Sequence, residues 1–300
     1  MMQTNNKEKI IFLINPISGT KKKADLPKKI LQLIDKSMYD AEVYITKYKG
    51  EATEIVPQKI AEGYSRFIAV GGDGTVNEIA KALVDTNGIL GIVPIGSGNG
   101  LARHLRIPLD LKKSIELINT GKCEAIDYGR VNDVPFFCTC GVGFDAHIGH
   151  KFAEATERGF ITYLKTTIRE FFSYKAKKYK LKIDKTLKLK SRAFLITFAN
   201  ASQYGNDAYI SPKADIQDGK LDICILSPFR LYRGVSIGIR LFAKTMDRSP
   251  LMNTMRAEKI VLKRKKEGVI HFDGEPCVMG KKLKISIVHN GLKVMFPKIN

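Results

Sequence analysis

Phe67-Ile68-Ala69-Val70-Gly71-Gly72-Asp73-Gly74-Thr75-Val76-Asn77-Glu78 joins an apolar run to a glycine-rich turn and then to a helical pattern. The first four residues suit a buried strand. Val76, Ile79, Ala80 and Leu83 recur at helical spacing, so a helix is expected from about Thr75. Glycines let backbone N–H groups approach a polyphosphate closely, and a helix start adds the positive end of its dipole. A carboxylate there repels phosphate unless it holds a cation or a proton. Asp73 therefore points to metal-assisted phosphoryl chemistry, against the plainer alternative of a tight turn with a capping aspartate.

Outward from this stretch, strand and helix alternate. Strands are expected over residues 10–14, 42–46, 67–70 and 89–95. Helices are expected over 26–35, 52–62, 76–84, 101–105 and 111–119, the second kinked or restarted at Pro57. Such alternation indicates a parallel sheet covered on both faces, with ligands beyond the carboxyl ends of its strands. Asn15-Pro16, Thr46, Gly71-Gly72 and Gly96-Ser97 all fall at those ends. The loop from Asn15 through Ser18 to Lys23 is either a phosphate cradle or a solvated βα connection, and it is not a P-loop. Gly96-Ser97-Gly98-Asn99-Gly100, leading to Arg103, repeats the strand, glycine turn and helix on the same edge.

The period changes after about Ala125. Residues 180–183, 187–190, 259–263 and 282–288 alternate apolar and polar side chains, as half-buried antiparallel strands do. Asn132-Asp133 and Asn290-Gly291 read as hairpin turns, and helical segments interrupt over roughly 153–172 and 232–242. A second, mostly β domain is expected. Five cysteines with no metal-ligand spacing read as reduced core residues, not as a zinc site or disulfide framework. Residues 1–9 lack the apolar core of a secretory signal, and no apolar run reaches bilayer length, which suggests a cytoplasmic protein. The net charge of +20 favours anionic partners: nucleic acid, nucleotide phosphates or an anionic membrane leaflet. No nucleic-acid-binding signature accompanies it, so nucleic acid is not expected.

Together, the residues Gly71 to Glu78, Gly96-Ser97-Gly98-Asn99 and Asp273-Gly274-Glu275 resemble the diacylglycerol kinase/sphingosine kinase superfamily, with soluble bacterial lipid kinases nearest. Gly141-Val142-Gly143-Phe144-Asp145 and Asp218-Gly219-Lys220-Leu221-Asp222 resemble further signatures in the expected order. The resemblance implies an α/β nucleotide domain over 1–125, of NAD kinase/phosphofructokinase-like type, and an antiparallel β-sandwich over 126–289. Residues 290–300 would return to the first domain. It implies a lipid kinase using ATP and Mg²⁺ on a membrane lipid hydroxyl. Carried over by position, Asn15, Ser18, Thr46, Gly71, Gly72, Asp73, Gly74, Thr75, Val76, Asn77 and Ser97 would contact ATP. Glu275 would be the catalytic base, with Asp73 the rival base or the holder of the catalytic cation. Asp215, Asp218 and Lys220, the last by its carbonyl, would bind a structural Mg²⁺, linked to the active site by Asp127. Many bacterial diacylglycerol kinases have an aspartate where this chain has Gly100, and sphingoid-base kinases tend to a small residue there. The acceptor is thus expected to be diacylglycerol-like or a sphingoid base. The partners expected are that lipid and an anionic membrane surface bound peripherally, through basic segments such as 175–182, 185–192 and 263–266; a homodimer is left open. The competing readings are an NAD kinase-like enzyme and a non-catalytic nucleotide or anion sensor at a membrane.

Overall fold

In the computed structural model, which describes residues 7–16, 25–153 and 160–297, the apolar runs of the first half form parallel strands. They alternate with helices in the order β1 (Glu8–Ile14), α1 (Leu26–Leu33), β2 (Tyr39–Ile45), α2 (Glu51–Ala61) and β3 (Arg66–Gly71). Next come α3 (Asp73–Leu83), β4 (Ile89–Pro94), α4 (Gly100–His104) and α5 (Leu111–Asn119). The strand order is β2-β1-β3-β4. The chain leaves β1 toward β2 on one side and returns to β3 on the other, so the switch point lies between β1 and β3. Every residue of β3 is buried, as expected for a strand covered on both faces. Ile10, Phe12, Ile14, Ile68, Val70 and Val93 share one core with Leu26 and Ile30 of α1 and Ile115 and Ile118 of α5.

The second half contributes β5 (Glu124–Val131), β6 (Val134–Phe136), β7 (Thr139–Gly143), α6 (Phe144–Ala153) and α7 (Phe160–Ser173). After these come β8 (Lys177–Ile183), β9 (Leu187–Ala193), β10 (Leu195–Ala199), β11 (Leu221–Leu226) and α8 (Gly234–Phe242). The last strands are β12 (Met252–Ala257), β13 (Lys259–Arg264), β14 (Gly268–Phe272), β15 (Glu275–Met279) and β16 (Lys282–Val294). By contact density the chain divides into two units, Met1–Ile126 with Gly291–Asn300, and Asp127–Asn290.

The second unit is layered. Antiparallel strands β12-β11-β10-β7-β14-β15 form a six-stranded sheet. The start of β16, with β13, β8 and β9, forms another antiparallel sheet. Ile196, Phe198, Ile223 and Ile270 of the first meet Leu181, Ile260, Leu262 and Leu283 of the second in a buried apolar core, which makes a β-sandwich. The alternate residues of β10 and β11, Leu195, Ala199, Cys224 and Leu226, face the other way and pack with Phe144 and Ile148 of α6 and with Ile237 and Leu241 of α8. The helices therefore cover one side of the six-stranded sheet and the lysine-bearing sheet covers the other.

Four expectations are corrected. Helix α3 begins at Asp73, because Gly72, with extended backbone, takes the N-cap position. Helix α2 runs unbroken through Pro57, held by its buried residues Ala52, Ile55 and Val56 across the missing hydrogen bond. Asn290-Gly291 is no hairpin: Asn290 has φ 52° but lies inside β16, whose last residues Lys293 and Val294 pair in parallel with Ile89 and Leu90 of β4. Cys123 and Cys277 are exposed, one in the connection after α5 and one on edge strand β15, while Cys138, Cys140 and Cys224 are buried; none of the five forms a disulfide.

Candidate active site

In the first unit the carboxyl edge of the sheet gathers most of the expected nucleotide residues. Asn15 follows β1 and donates its N–H to the carbonyl of Val70 at 3.2 Å. Thr46 closes the end of β2, its hydroxyl donating to the carbonyl of Ile14 at 3.3 Å. Gly71 to Asn77 carry β3 into α3, and exposed Ser97 stands on the turn after β4. Ser18 lies outside the described residues.

The two glycine turns are locked to each other. Asp73 Oδ2 accepts the N–H of Asn99 at 2.8 Å, and Asp73 Oδ1 accepts that of Gly100 at 2.6 Å. A Cβ on Gly98 would lie 2.4 Å from Asp73 Oδ2, and one on Gly96 would lie 2.4 Å from Gly72 Cα. The glycines at these two positions are thus required by the close approach of the turns, before any ligand is considered. Asn99, with φ 53°, caps α4 and donates its side-chain amide to the carbonyl of Gly96 at 2.8 Å. Arg103 braces the same turn by donating Nε–H to the carbonyl of Gly98 at 3.1 Å. Burial raises the Asp73 carboxyl above its ordinary value, against the pull of the N–H groups of Gly100 and Asn99 and the charge of Arg103. The hydroxyl of Thr75, in the first turn of α3, is buried and has no hydrogen-bond partner among the described residues.

In the second unit Glu275 opens β15, half-buried and paired with Phe272 across a two-residue turn. Asp273 and Gly274 form that turn with φ of 49° and 88°, the left-handed pair that a tight hairpin demands. Asp273 does more than turn the chain. Its Oδ2 accepts the N–H of Phe137 at 2.8 Å, and its Oδ1 accepts those of Cys138 and Thr139 at 2.7 and 2.9 Å. Three charge-assisted bonds fix the hairpin against the chain entering β7.

Sequence reasoning missed a polar cluster beside this hairpin. Asp145, in the first turn of α6, accepts from Thr197 Oγ1 at 2.9 Å and from the Tyr204 hydroxyl at 3.3 Å, and His271 Nε2 lies 3.2 Å away. His271 is only 3% exposed. These residues come from β10, β14, α6 and the segment after β10, so no local spacing announces them. The only local signal is Asp145 itself, a carboxylate where a strand becomes a helix.

A third group surrounds the loop before β11. Asp215 Oδ1 accepts the N–H of Gln217 and Asp218 Oδ1 that of Lys220, each at 2.9 Å. Arg256 lies 3.3 Å from Asp218 Oδ2 and donates to Asp222 Oδ1 at 3.0 Å. Burial raises the Asp218 carboxyl, opposed by the Lys220 N–H and Arg256 and reinforced by the charges of Asp215 and Asp222. Among the described residues no three His, Cys, Asp or Glu side chains converge as a metal cage. Two carboxylates and a carbonyl still match the hard oxygen donors that Mg²⁺ takes, with water completing the shell. Asp127, fully buried, accepts from Gly219 N–H at 2.7 Å and from Asn290 N–H at 2.7 Å, with His289 Nδ1 at 2.8 Å. It ties the Asp218 loop to β16.

Residues 9–131 match the diacylglycerol kinase catalytic domain, and residues 138–296 match the YegS C-terminal NAD kinase beta sandwich-like domain. The chain is 28% identical over 271 residues to a probable lipid kinase YegS-like protein of Klebsiella pneumoniae, covering 86% of each. It is 27% identical over 226 residues to the diacylglycerol kinase of Bacillus subtilis, covering 73% of this chain and 74% of that one. A longer Synechocystis relative is 29% identical, and the chain spans 61% of its length. The fold matches the crystal structure of a diacylglycerol kinase from Bacillus anthracis with a TM-score of 0.73 at 20% identity, covering 97% of this chain and 98% of that one.

Proposed function

Because the chain belongs to the lipid kinase family that joins a diacylglycerol kinase catalytic domain to a YegS-type β-sandwich, we propose that it phosphorylates a hydroxyl of a membrane lipid, using ATP and Mg²⁺. The observation that carries this reading is the pair of hydrogen bonds from Asn99 and Gly100 to Asp73, which fuses both glycine turns into one rim at the carboxyl edge of the sheet. When bound, ATP and Mg²⁺ supply the transferable phosphoryl group and a countercharge for it. Asn15, Ser18, Thr46, Gly71 to Asn77 and Ser97 are proposed to hold the nucleotide. The buried, unpartnered hydroxyl of Thr75 fits such a site. Each Asp73 oxygen spends one lone pair on an N–H and keeps another for a cation.

Glu275 is the proposed base that takes the lipid hydroxyl proton, and Asp273 is the positioning residue that holds its turn. Asp73, with both oxygens engaged, suits orientation and cation binding better than proton transfer. Asp215, Asp218 and the Lys220 carbonyl are proposed to hold a structural Mg²⁺, for which Arg256 is the competitor on Asp218. No helix among the described residues is long and apolar enough to cross a membrane. The net charge of +20 supports peripheral binding to the anionic inner face of one. The acceptor is diacylglycerol-like or a sphingoid base.

The test is incubation with γ-labelled ATP and Mg²⁺ against extracted lipids, with NAD in parallel. Label is expected in a lipid product and not in a phosphorylated dinucleotide. Label in the dinucleotide alone, or turnover with no lipid product, overturns the reading.

A further inference from the structure

Helix α8 is apolar on two opposite sides. Inward, Ile237 and Leu241 pack against the cluster that holds Phe144, Phe194, Leu226 and Met252. Outward, Val235, Ile239 and Phe242 follow one another at helical spacing and are 72%, 64% and 48% exposed. The turn just before adds Leu231 and Tyr232 at 52% and 67%. An ordinary surface helix carries polar residues on its outer side. A contiguous apolar patch left open on a protein surface marks an interaction site.

The surroundings of the patch select its partner. Arg240 and Arg248 line, with Tyr232, Val235 and Ile239, a depression of about 630 Å³. Arg233 lies over the Tyr232 ring at 6.0 Å, and Arg230 and Lys244 bracket the segment in sequence. No acidic residue occurs between Asp222 and Asp247. An apolar stripe with cations beside it is the chemistry of a helix lying in the headgroup boundary of an anionic bilayer. A second copy of the chain fits less well, because a two-fold contact would set these arginines against the same arginines.

We propose that α8 and the turn before it insert into the surface of an anionic membrane, the apolar stripe entering the headgroup–acyl boundary and the arginines meeting lipid phosphates. The proposal rests on the lipid kinase reading for why a bilayer is the partner. It also chooses between two surfaces. The strand lysines Lys180, Lys182, Lys188 and Lys190 point out from the sheet that covers the opposite side of the six-stranded sheet. A flat bilayer contacts one side of this layered unit at a time. Lysines alone draw a surface near without entering it, and the stripe on α8 is the part that gains from entry.

The chain contains no tryptophan, so a single introduced one reports its own surroundings. Val235→Trp would be compared with Leu187→Trp, at the exposed start of β9, on vesicles of three parts phosphatidylcholine to one part phosphatidylglycerol. Blue-shifted emission and quenching by brominated acyl chains are expected for Val235→Trp and absent for Leu187→Trp. Ile239→Asp, at an exposed position, is expected to weaken vesicle co-sedimentation at least about tenfold, the effect of withdrawing one side chain from an apolar phase. Lys180→Glu with Lys190→Glu should leave the quenching in place. No shift at Val235, quenching at Leu187 instead, or a vesicle-free blue shift that follows protein concentration would each overturn the proposal. Transfer to a short-chain, water-soluble acceptor should be unchanged in Ile239→Asp. Failed insertion with that transfer intact sinks the helix proposal alone; insertion without any transfer by the unaltered protein sinks the kinase reading alone.

Discussion

Asp73 has two duties that one substitution separates poorly. Its carboxylate is proposed to face a cation, and it also receives the N–H groups of Asn99 and Gly100. Asparagine at this position offers one acceptor where two are needed and turns an amide N–H₂ toward a backbone donor. Asp73→Asn should therefore nearly abolish phosphoryl transfer and also lower folding stability by about 1–3 kcal/mol, the penalty of a part-buried N–H left unpaired. Urea unfolding beside a transfer assay reads both effects, and wild-type turnover would take Asp73 out of the chemistry. Glu275 makes a cleaner test, since the clamp on its hairpin belongs to Asp273 and not to Glu275 itself. Glu275→Gln should reduce kcat about 10²–10⁴-fold, the usual contribution of a general base, while ATP affinity stays close to the original. A kcat within a few-fold of normal would return the role to Asp73.

At the scale of the element, the start of α2 shows how a carboxylate organises a loop. Glu51 accepts the backbone N–H of Lys47 and, at 2.9 Å, the hydroxyl of Tyr44, which closes the turn after Thr46. The Lys47 N–H first, and the Tyr44 hydroxyl after it, hold the Glu51 carboxyl below its ordinary 4.5 despite burial. A depressed pKa adds stability above the unfolded value that fades as pH falls through the folded one. Unfolding midpoints taken into acid should thus decline below about pH 4.5 less steeply for Glu51→Gln than for the unaltered chain, and parallel declines would show that the contacts add nothing. The elements that sequence makes legible are those with strong periods: α5 spans Leu111–Asn119 as its pattern predicts, and β3 and β4 follow their apolar runs. The sequence period does not reveal helix α6, because Gly149, His147 and His150 blur it. Asn290 looks like a turn residue because its backbone is left-handed, but its N–H is taken by Asp127, 163 positions away. The pair of glycine turns at the carboxyl edge is legible since each turn carries its own glycines. The pairing of Asp145 with His271 was not, because 126 positions separate them and only the fold brings them together.

Across the whole molecule the net charge is +20, and part of that excess meets itself across neighbouring strands. Lys180 stands directly opposite Lys190 on β9 and Lys263 on β13, and Lys182 stands opposite Lys188. Like charges facing each other across strands destabilise a sheet. Lys180→Glu turns two repulsive pairs into attractive ones and should stabilise the fold by roughly 0.4–2 kcal/mol at low ionic strength, at about 0.2–1 kcal/mol per pair. Unfolding with and without added salt checks this, because screening should erase most of the gain; a gain that survives high salt would point to packing or strand propensity instead. Strand β16 has a different consequence, one of timing. Lys293 and Val294 supply the parallel neighbour of β4, and Met295 joins the core beneath β1 and β3. During synthesis the first four strands emerge long before that neighbour exists. The newborn first unit must therefore wait with an open strand edge, a ready template for mispairing, until the ribosome has released residues far down the chain.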